Sequence, residues 1–170
     1  WSAPGEAFPD GLLVPSLIAE WAAVTPTATA VVCGGDALTY AELVDRSDRL
    51  AGYLRSVGVG PEVVVGVCLP RGVDFVVAVL AVWRAGGAYL PLDASYPVSR
   101  LAVMLSDGGV SVVVGVEETV EELPVGRLRA VLLDDPRVWA RPAFSGDPVG
   151  DGLAYVMFTS GSTGRPKGVQ

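Results

Sequence analysis

The 170-residue chain contains no histidine. That absence removes histidine-based triads and histidine metal sites, so any acid–base work falls to other groups. Only two cysteines are present, Cys33 and Cys68, each in an apolar, strand-like stretch. Two cysteines cannot set a secreted disulfide framework, and both read as small core residues in a reducing, cytoplasmic setting. Charged residues are few, at 18%, and the net charge is −7. An acidic balance argues against a general nucleic-acid or anionic-membrane surface and leaves room only for local anion binding. The longest uncharged apolar run near the middle, Phe75 to Trp83, is far too short to span a bilayer. The opening residues, Trp1-Ser2-Ala3-Pro4-Gly5, have no basic region, apolar signal core or initiator methionine, which suggests a piece of a longer polypeptide. Apolar residues are abundant, at 51%, and the length suffices for one globular domain with a real core.

Periodicity supplies the elements. Residues 1–11, with two prolines and two glycines, read as a linker. Val14, Leu17, Ile18, Trp21 and Val24 then line one face of a helix that Thr25-Pro26 stops. Ala28–Cys33 and Asp36–Thr39 flank Gly34-Gly35 as a hairpin. Thr39 and Glu42 form a capping box for a helix whose inner stripe is Tyr40, Leu43, Ser47, Leu50, Leu54 and Val57. Asp45, Arg46, Asp48, Arg49 and Arg55 fall on its solvated face, and Gly58 ends it. Val63–Leu69 is a buried strand, and Val73–Ala85 is a helix apolar nearly all round, as under other layers. Ala88–Leu92 is a strand with Asp93 at its carboxyl end. Pro97 opens a helix that places Val98, Leu101 and Leu105 on one side, and Val110–Val114 is the next strand. The four glutamates of Glu117–Glu122 read as a solvated loop or short helix. Ala130–Leu133 is strand-like. Asp134–Gly152 is a long polar connection in which Val138, Trp139 and Phe144 tuck against the core. Strands alternating with helices imply βαβ units and a largely parallel sheet, an α/β fold with ligands beyond the carboxyl ends of the strands.

The chemistry concentrates at the end of the chain. An apolar run, Leu153 to Phe158, has strand composition and feeds Thr159-Ser160-Gly161-Ser162-Thr163-Gly164-Arg165-Pro166-Lys167-Gly168. Gly-Ser-Thr-Gly alone is common in plain loops. The whole string after a strand is more specific: glycines let the backbone approach a ligand, free N–H groups nest an anion, hydroxyls donate, and Lys167 adds a point charge. These parts make a phosphate cradle. It is not the G-x-x-x-x-G-K-[ST] loop, because Gly168 follows Lys167, and no G-x-G-x-x-G fingerprint is present.

The string resembles the phosphate loop of the adenylate-forming enzymes, most closely the adenylation domains of nonribosomal peptide synthetases. Leu38-Thr39-Tyr40-Ala41-Glu42-Leu43 resembles their first core motif, and Val82 to Asp93, followed by Ser95-Tyr96-Pro97 and Arg100-Leu101, resembles the second. Trp83, Ala94 and Phe158 depart from the usual aliphatic, proline and tyrosine. In these two motifs Tyr40, Leu43, Tyr89, Leu90 and Leu92 read as core and turn residues, and Asp93 and Arg100 as a buried or capping ion pair.

The resemblance implies residues 1–11 as an interdomain linker and 12–170 as the N-terminal part of the large subdomain, cut just after the loop. It implies ATP with Mg²⁺, the magnesium ligand lying outside this chain. Thr159, Ser160, Gly161, Ser162, Thr163, Gly164, Lys167 and Gly168 would hold the β- and γ-phosphates, with no catalytic residue or metal ligand within the chain. The implied reaction makes an aminoacyl adenylate and then loads a carrier-protein phosphopantetheine thiol, in antibiotic-type biosynthesis. Implied partners are the amino-acid substrate, the remaining part of the domain, carrier-protein and condensation domains and an MbtH-like accessory protein, with no nucleic acid and no membrane. An acyl- or aryl-CoA ligase of the same superfamily and a non-catalytic docking fragment are the alternative readings.

Overall fold

The computed structural model describes residues 12–124, 126, 128–146, 152–159 and 167–169, with only the backbone of Lys167. The 1–11 linker expectation lies outside them. Helix α1 (Val14–Val24) leads to an antiparallel hairpin, β1 (Thr29–Cys33) and β2 (Asp36–Thr39), closed by Gly34 at φ 61°. Then follow α2 (Tyr40–Ser56), β3 (Val64–Cys68), α3 (Val73–Arg84), β4 (Ala88–Pro91), α4 (Val98–Asp107), β5 (Val112–Gly115), α5 (Glu117–Glu121), β6 (Arg129–Leu132) and α6 (Pro136–Trp139). Two short strands end the chain, β7 (Met157–Thr159) and β8 (Lys167–Val169).

The core sheet is parallel, ordered β4-β3-β5-β6, with Val65 opposite both Tyr89 and Val112. Every residue of β3 is buried, as its continuous apolar run requires. Val65 and Val67 face α2 and α3, while Val64 and Cys68 face α4 and α5. The α3 segment Val77–Val82 is buried all round because the helix lies between the sheet and α2. The α/β fold with a parallel sheet is therefore present as expected.

The capping box of α2 is complete. Thr39 donates its backbone N–H and its hydroxyl to Glu42 Oε2, each at 2.8 Å, and the Glu42 N–H returns a bond to Thr39 Oγ1 at 3.3 Å. The helix closes at Gly58, whose φ of 98° suits a residue without Cβ. Leu43, Ser47, Leu50 and Leu54 are buried as the stripe predicts, and Ala51 joins them.

Four expectations need correction. The first concerns α1, which presents Val14, Trp21 and Val24 to solvent at 52%, 55% and 74% exposure; Pro15 is buried instead and Ile18 packs on the core. The stripe marks a helix correctly, but its Pro15–Ile18 side makes the buried contact, and Trp21 stacks on Tyr40 of α2 while staying largely exposed. Second, Asp48 is not on a solvated face: it pairs with Arg84 of α3, the two side chains 15% and 12% exposed. Third, Cys33 is exposed at the hairpin tip, its thiol near the Arg71 carbonyl, whereas Cys68 is buried. The fourth is Val98, 57% exposed at the start of α4, where Leu101, Met104 and Leu105 carry the buried side.

The connection after β6 is a strap laid across α2. Its Phe144 N–H donates to the Asp48 carbonyl at 2.9 Å. Arg46 lies 5.1 Å over Trp139, Arg55 5.6 Å over Phe144 and Arg141 6.0 Å over Tyr53, so cation and ring alternate between helix and strap. Val138 is buried and Trp139 donates Nε1–H to the Leu133 carbonyl at 2.8 Å, as the apolar residues of this stretch suggested. The close approach depends on Gly52, where a Cβ would overlap the Pro142 carbonyl oxygen.

Two outcomes follow for stability. Alanine at position 52 gains about 1 kcal/mol of helix propensity. Overlap with a backbone atom costs about 1–3 kcal/mol, so Gly52→Ala is expected to lower the denaturation midpoint and to red-shift Trp139 fluorescence as the strap lifts. The Glu42 carboxyl is held below its ordinary range by the Thr39 backbone N–H and then the Thr39 hydroxyl. Its contribution is present above the unfolded-state pKa and is lost as pH falls through the lower folded value. Melting temperature against pH should therefore show a shallower acid decline in Glu42→Gln than in the parent.

Candidate phosphate-binding site

The last segment is fastened to the free edge of β4. Tyr89 donates its N–H to the Ala154 carbonyl at 3.2 Å and accepts from the Val156 N–H at 2.9 Å, which makes Tyr155 a parallel bridge partner of Tyr89. Trp83 of α3 donates Nε1–H to the same Ala154 carbonyl at 2.8 Å. Its ring meets Tyr89 edge-on at 5.7 Å, and Tyr89 meets Tyr155 at 6.0 Å. Val156 is buried beneath. The sequence offered one signal for this clamp, a tryptophan at the end of a largely apolar helix, but not its acceptor, since Ala154 lies 71 residues away.

Beyond the clamp the chain makes a second hairpin. Met157, Phe158 and Thr159 pair antiparallel with Val169, Gly168 and Lys167. This corrects the sequence-based boundaries: the strand is Met157–Thr159, not Leu153–Phe158, and Lys167–Gly168 lies in a strand, not in the loop. Antiparallel pairing satisfies the backbone groups of both arms, and that gain outweighs the weak strand propensity of Lys-Gly-Val. Of the expected phosphate-holding residues, Thr159, Lys167 and Gly168 form the base of the hairpin. Ser160, Gly161, Ser162, Thr163 and Gly164 lie outside the described residues.

The hairpin stands where ligands bind in open parallel sheets. Met157 and Phe158 border a cleft of about 570 Å³ formed by Cys68–Arg71 at the carboxyl end of β3 and Pro91–Ala94 at that of β4. Asp93 lies at its rim with Oδ1 accepting from the Ser95 N–H at 2.9 Å and from the Ser95 hydroxyl at 2.7 Å. Those two bonds, the hydroxyl first, hold its carboxyl below the ordinary range, with smaller help from the charges of Arg71 and Arg100. Arg100 instead lies 4.0 Å over the Tyr96 ring. Among the described residues no ion pair joins Asp93 to Arg100, which corrects the expected pair: donors two residues away engage Asp93 Oδ1 locally. Cys68 forms part of the floor. Its thiol donates to the Thr119 carbonyl, and burial pushes its pKa up, as befits a packing residue.

These elements make an α/β domain with a hairpin and a cleft at the carboxyl ends of its parallel strands. The chain belongs to the AMP-binding enzyme family, whose model matches residues 18–170. It is 42% identical over 167 residues to tyrocidine synthase 3 of Brevibacillus parabrevis, covering 96% of this chain and 2% of that protein. It is 40% identical over 183 residues to a dimodular nonribosomal peptide synthase of Bacillus subtilis, covering 99% of this chain and 8% of that protein. The solved nonribosomal peptide synthetase FmoA3 superposes with a TM-score of 0.86 at 35% identity, over 96% of this chain and 17% of that one. Its AMPPNP-bound form superposes with a TM-score of 0.85. The chain thus spans a small part of the length of the relatives it matches. Among the described residues no helix is long and apolar enough to cross a membrane.

Removing the Trp83 donor leaves the Ala154 carbonyl one partner short, at a cost of about 1 kcal/mol. Trp83→Phe is expected to speed amide exchange of Val156 and Tyr89 about fivefold while leaving β5 unchanged. Equal protection in the variant would mean that the β4 edge alone holds the segment.

Proposed function

We propose that this chain supplies the phosphate-binding part of an amino-acid-activating adenylation domain in nonribosomal peptide synthesis. The observation that carries the reading is the register Thr159 opposite Lys167 at the carboxyl end of the sheet, which closes the base of the Ser160–Pro166 connection. Membership of the AMP-binding family and the similarity to peptide synthetases support it.

In this reading an amino-acid carboxylate oxygen attacks the α-phosphate of ATP. The bond to the β-phosphate breaks, pyrophosphate leaves, and an aminoacyl adenylate forms. Thr159, Ser160, Ser162, Thr163, the backbone around Gly161 and Gly164, and Lys167 hold the β- and γ-phosphates, with Gly168 at the base of the loop. They work by position and by matching the negative charge that spreads onto the leaving group. A carrier protein's phosphopantetheine thiol then takes the aminoacyl group as a thioester and AMP leaves. Mg²⁺ accompanies ATP and neutralises phosphate charge when bound; its carboxylate ligand is assigned to a part of the domain outside this chain. Carrier-protein and condensation domains and an MbtH-like accessory protein are the proposed partners, in the cytoplasm. The great length of the relatives supports a multidomain setting.

The test is Lys167→Ala in the full-length protein, read by amino-acid-dependent pyrophosphate exchange. A charge-assisted contact contributes about 1.5–3 kcal/mol, so the rate should fall roughly ten- to a hundred-and-fifty-fold with little change in melting temperature. Undiminished exchange would remove Lys167 from phosphate binding. Exchange driven by acyl or aryl acids and not by amino acids would move the protein to the CoA-ligase branch.

A further inference from the structure

The cleft at the ends of β3 and β4 has features that phosphate binding on the hairpin does not use. It sits beyond the carboxyl ends of β3 and β4, which are neighbours in the parallel sheet. In such sheets ligands bind beyond the carboxyl ends of the strands. Its volume of about 570 Å³ falls within the range of small-molecule sites.

The walls are mainly apolar, with Phe75, Leu92, Met104 and Phe158 among them. Two guanidiniums, Arg71 and Arg100, share the lining with one carboxylate, Asp93, so the cleft carries one excess positive charge. Asp93 Oδ1 is already engaged by Ser95. Arg100 is half-buried on Tyr96, and its Nε finds no hydrogen-bond acceptor among the described residues. Stacking on the ring fixes the plane of the guanidinium and leaves its terminal nitrogens to serve a planar, two-oxygen acceptor.

We propose that this cleft is a second ligand site, separate from the hairpin loop, for a monocarboxylate with an aryl or medium-length acyl body. A single excess positive charge matches one carboxylate, while a phosphate dianion would leave a charge uncompensated against apolar walls. The body of the ligand lies among Phe75, Leu92, Met104 and Phe158, and the carboxylate meets Arg100 with Arg71 at the rim. The site stands whether or not the loop binds ATP.

The experiment uses the full-length protein with phenylacetate as probe, followed by titration calorimetry with and without saturating AMPPNP. Binding with unit stoichiometry is expected in both conditions. Arg100→Met should weaken it about tenfold or more, since one charge-assisted pair is lost. Met157→Trp, which narrows the mouth from a partly exposed strand position, should weaken it as well while leaving both arginines in place. If Arg100→Met does not fold, Arg100→Lys takes its place, because lysine keeps the charge and loses the planar fork. Absence of binding to the parent protein, loss of binding on adding AMPPNP, or parent-like affinity in the arginine and Met157→Trp variants would each overturn the proposal.

Discussion

Strand β3 is hydrogen-bonded along both edges and buried on both faces, and those two conditions constrain most of the structure. Its edges require β4 and β5 in parallel register, which only crossover helices can supply. Its faces require apolar cover on each side, so α3 and α2 close over Val65 and Val67 while α4 and α5 close over Val64 and Cys68. Parallel pairing also gathers the carboxyl ends of β3 and β4 at one end of the sheet. The cleft, the Asp93 turn and the β7–β8 hairpin all stand there because the strands share a direction.

The hairpin is also held from behind. Backbone bonds between Tyr89 and the 154–156 segment, the Trp83 indole on the Ala154 carbonyl and the buried Val156 fix the chain before β7 begins. The residues that would touch phosphate can then be polar and glycine-rich without having to bury apolar surface themselves. Thr159 and Lys167, eight positions apart in sequence, become partners across a ladder.

Trp83 is built into the support of this hairpin. The strap over α2 works in a similar way. Gly52 gives up helix propensity so that a backbone carbonyl can approach, and three arginines alternate with aromatic rings to hold the two segments together. Both are long-range contacts built from residues that look ordinary in their own neighbourhoods.

Where the physics is local, the chain by itself determined the outcome. The Thr39–Glu42 box, the Gly58 helix end and the alternation of strand and helix all depend on neighbours within a few residues. Tertiary structure decided the rest. It left Val14 and Val24 exposed, set Trp21 against Tyr40 at the rim of α2, and drew Asp48 inward to Arg84. It separated Asp93 from Arg100, since Ser95 stood nearer to the carboxylate. It made a strand of Lys167–Val169 because β7 offered an edge. An amphipathic stripe records that a helix has a preferred side, whereas the identity of the surface it meets depends on where other segments stop. That information is spread along the chain and becomes physical only when the segments touch.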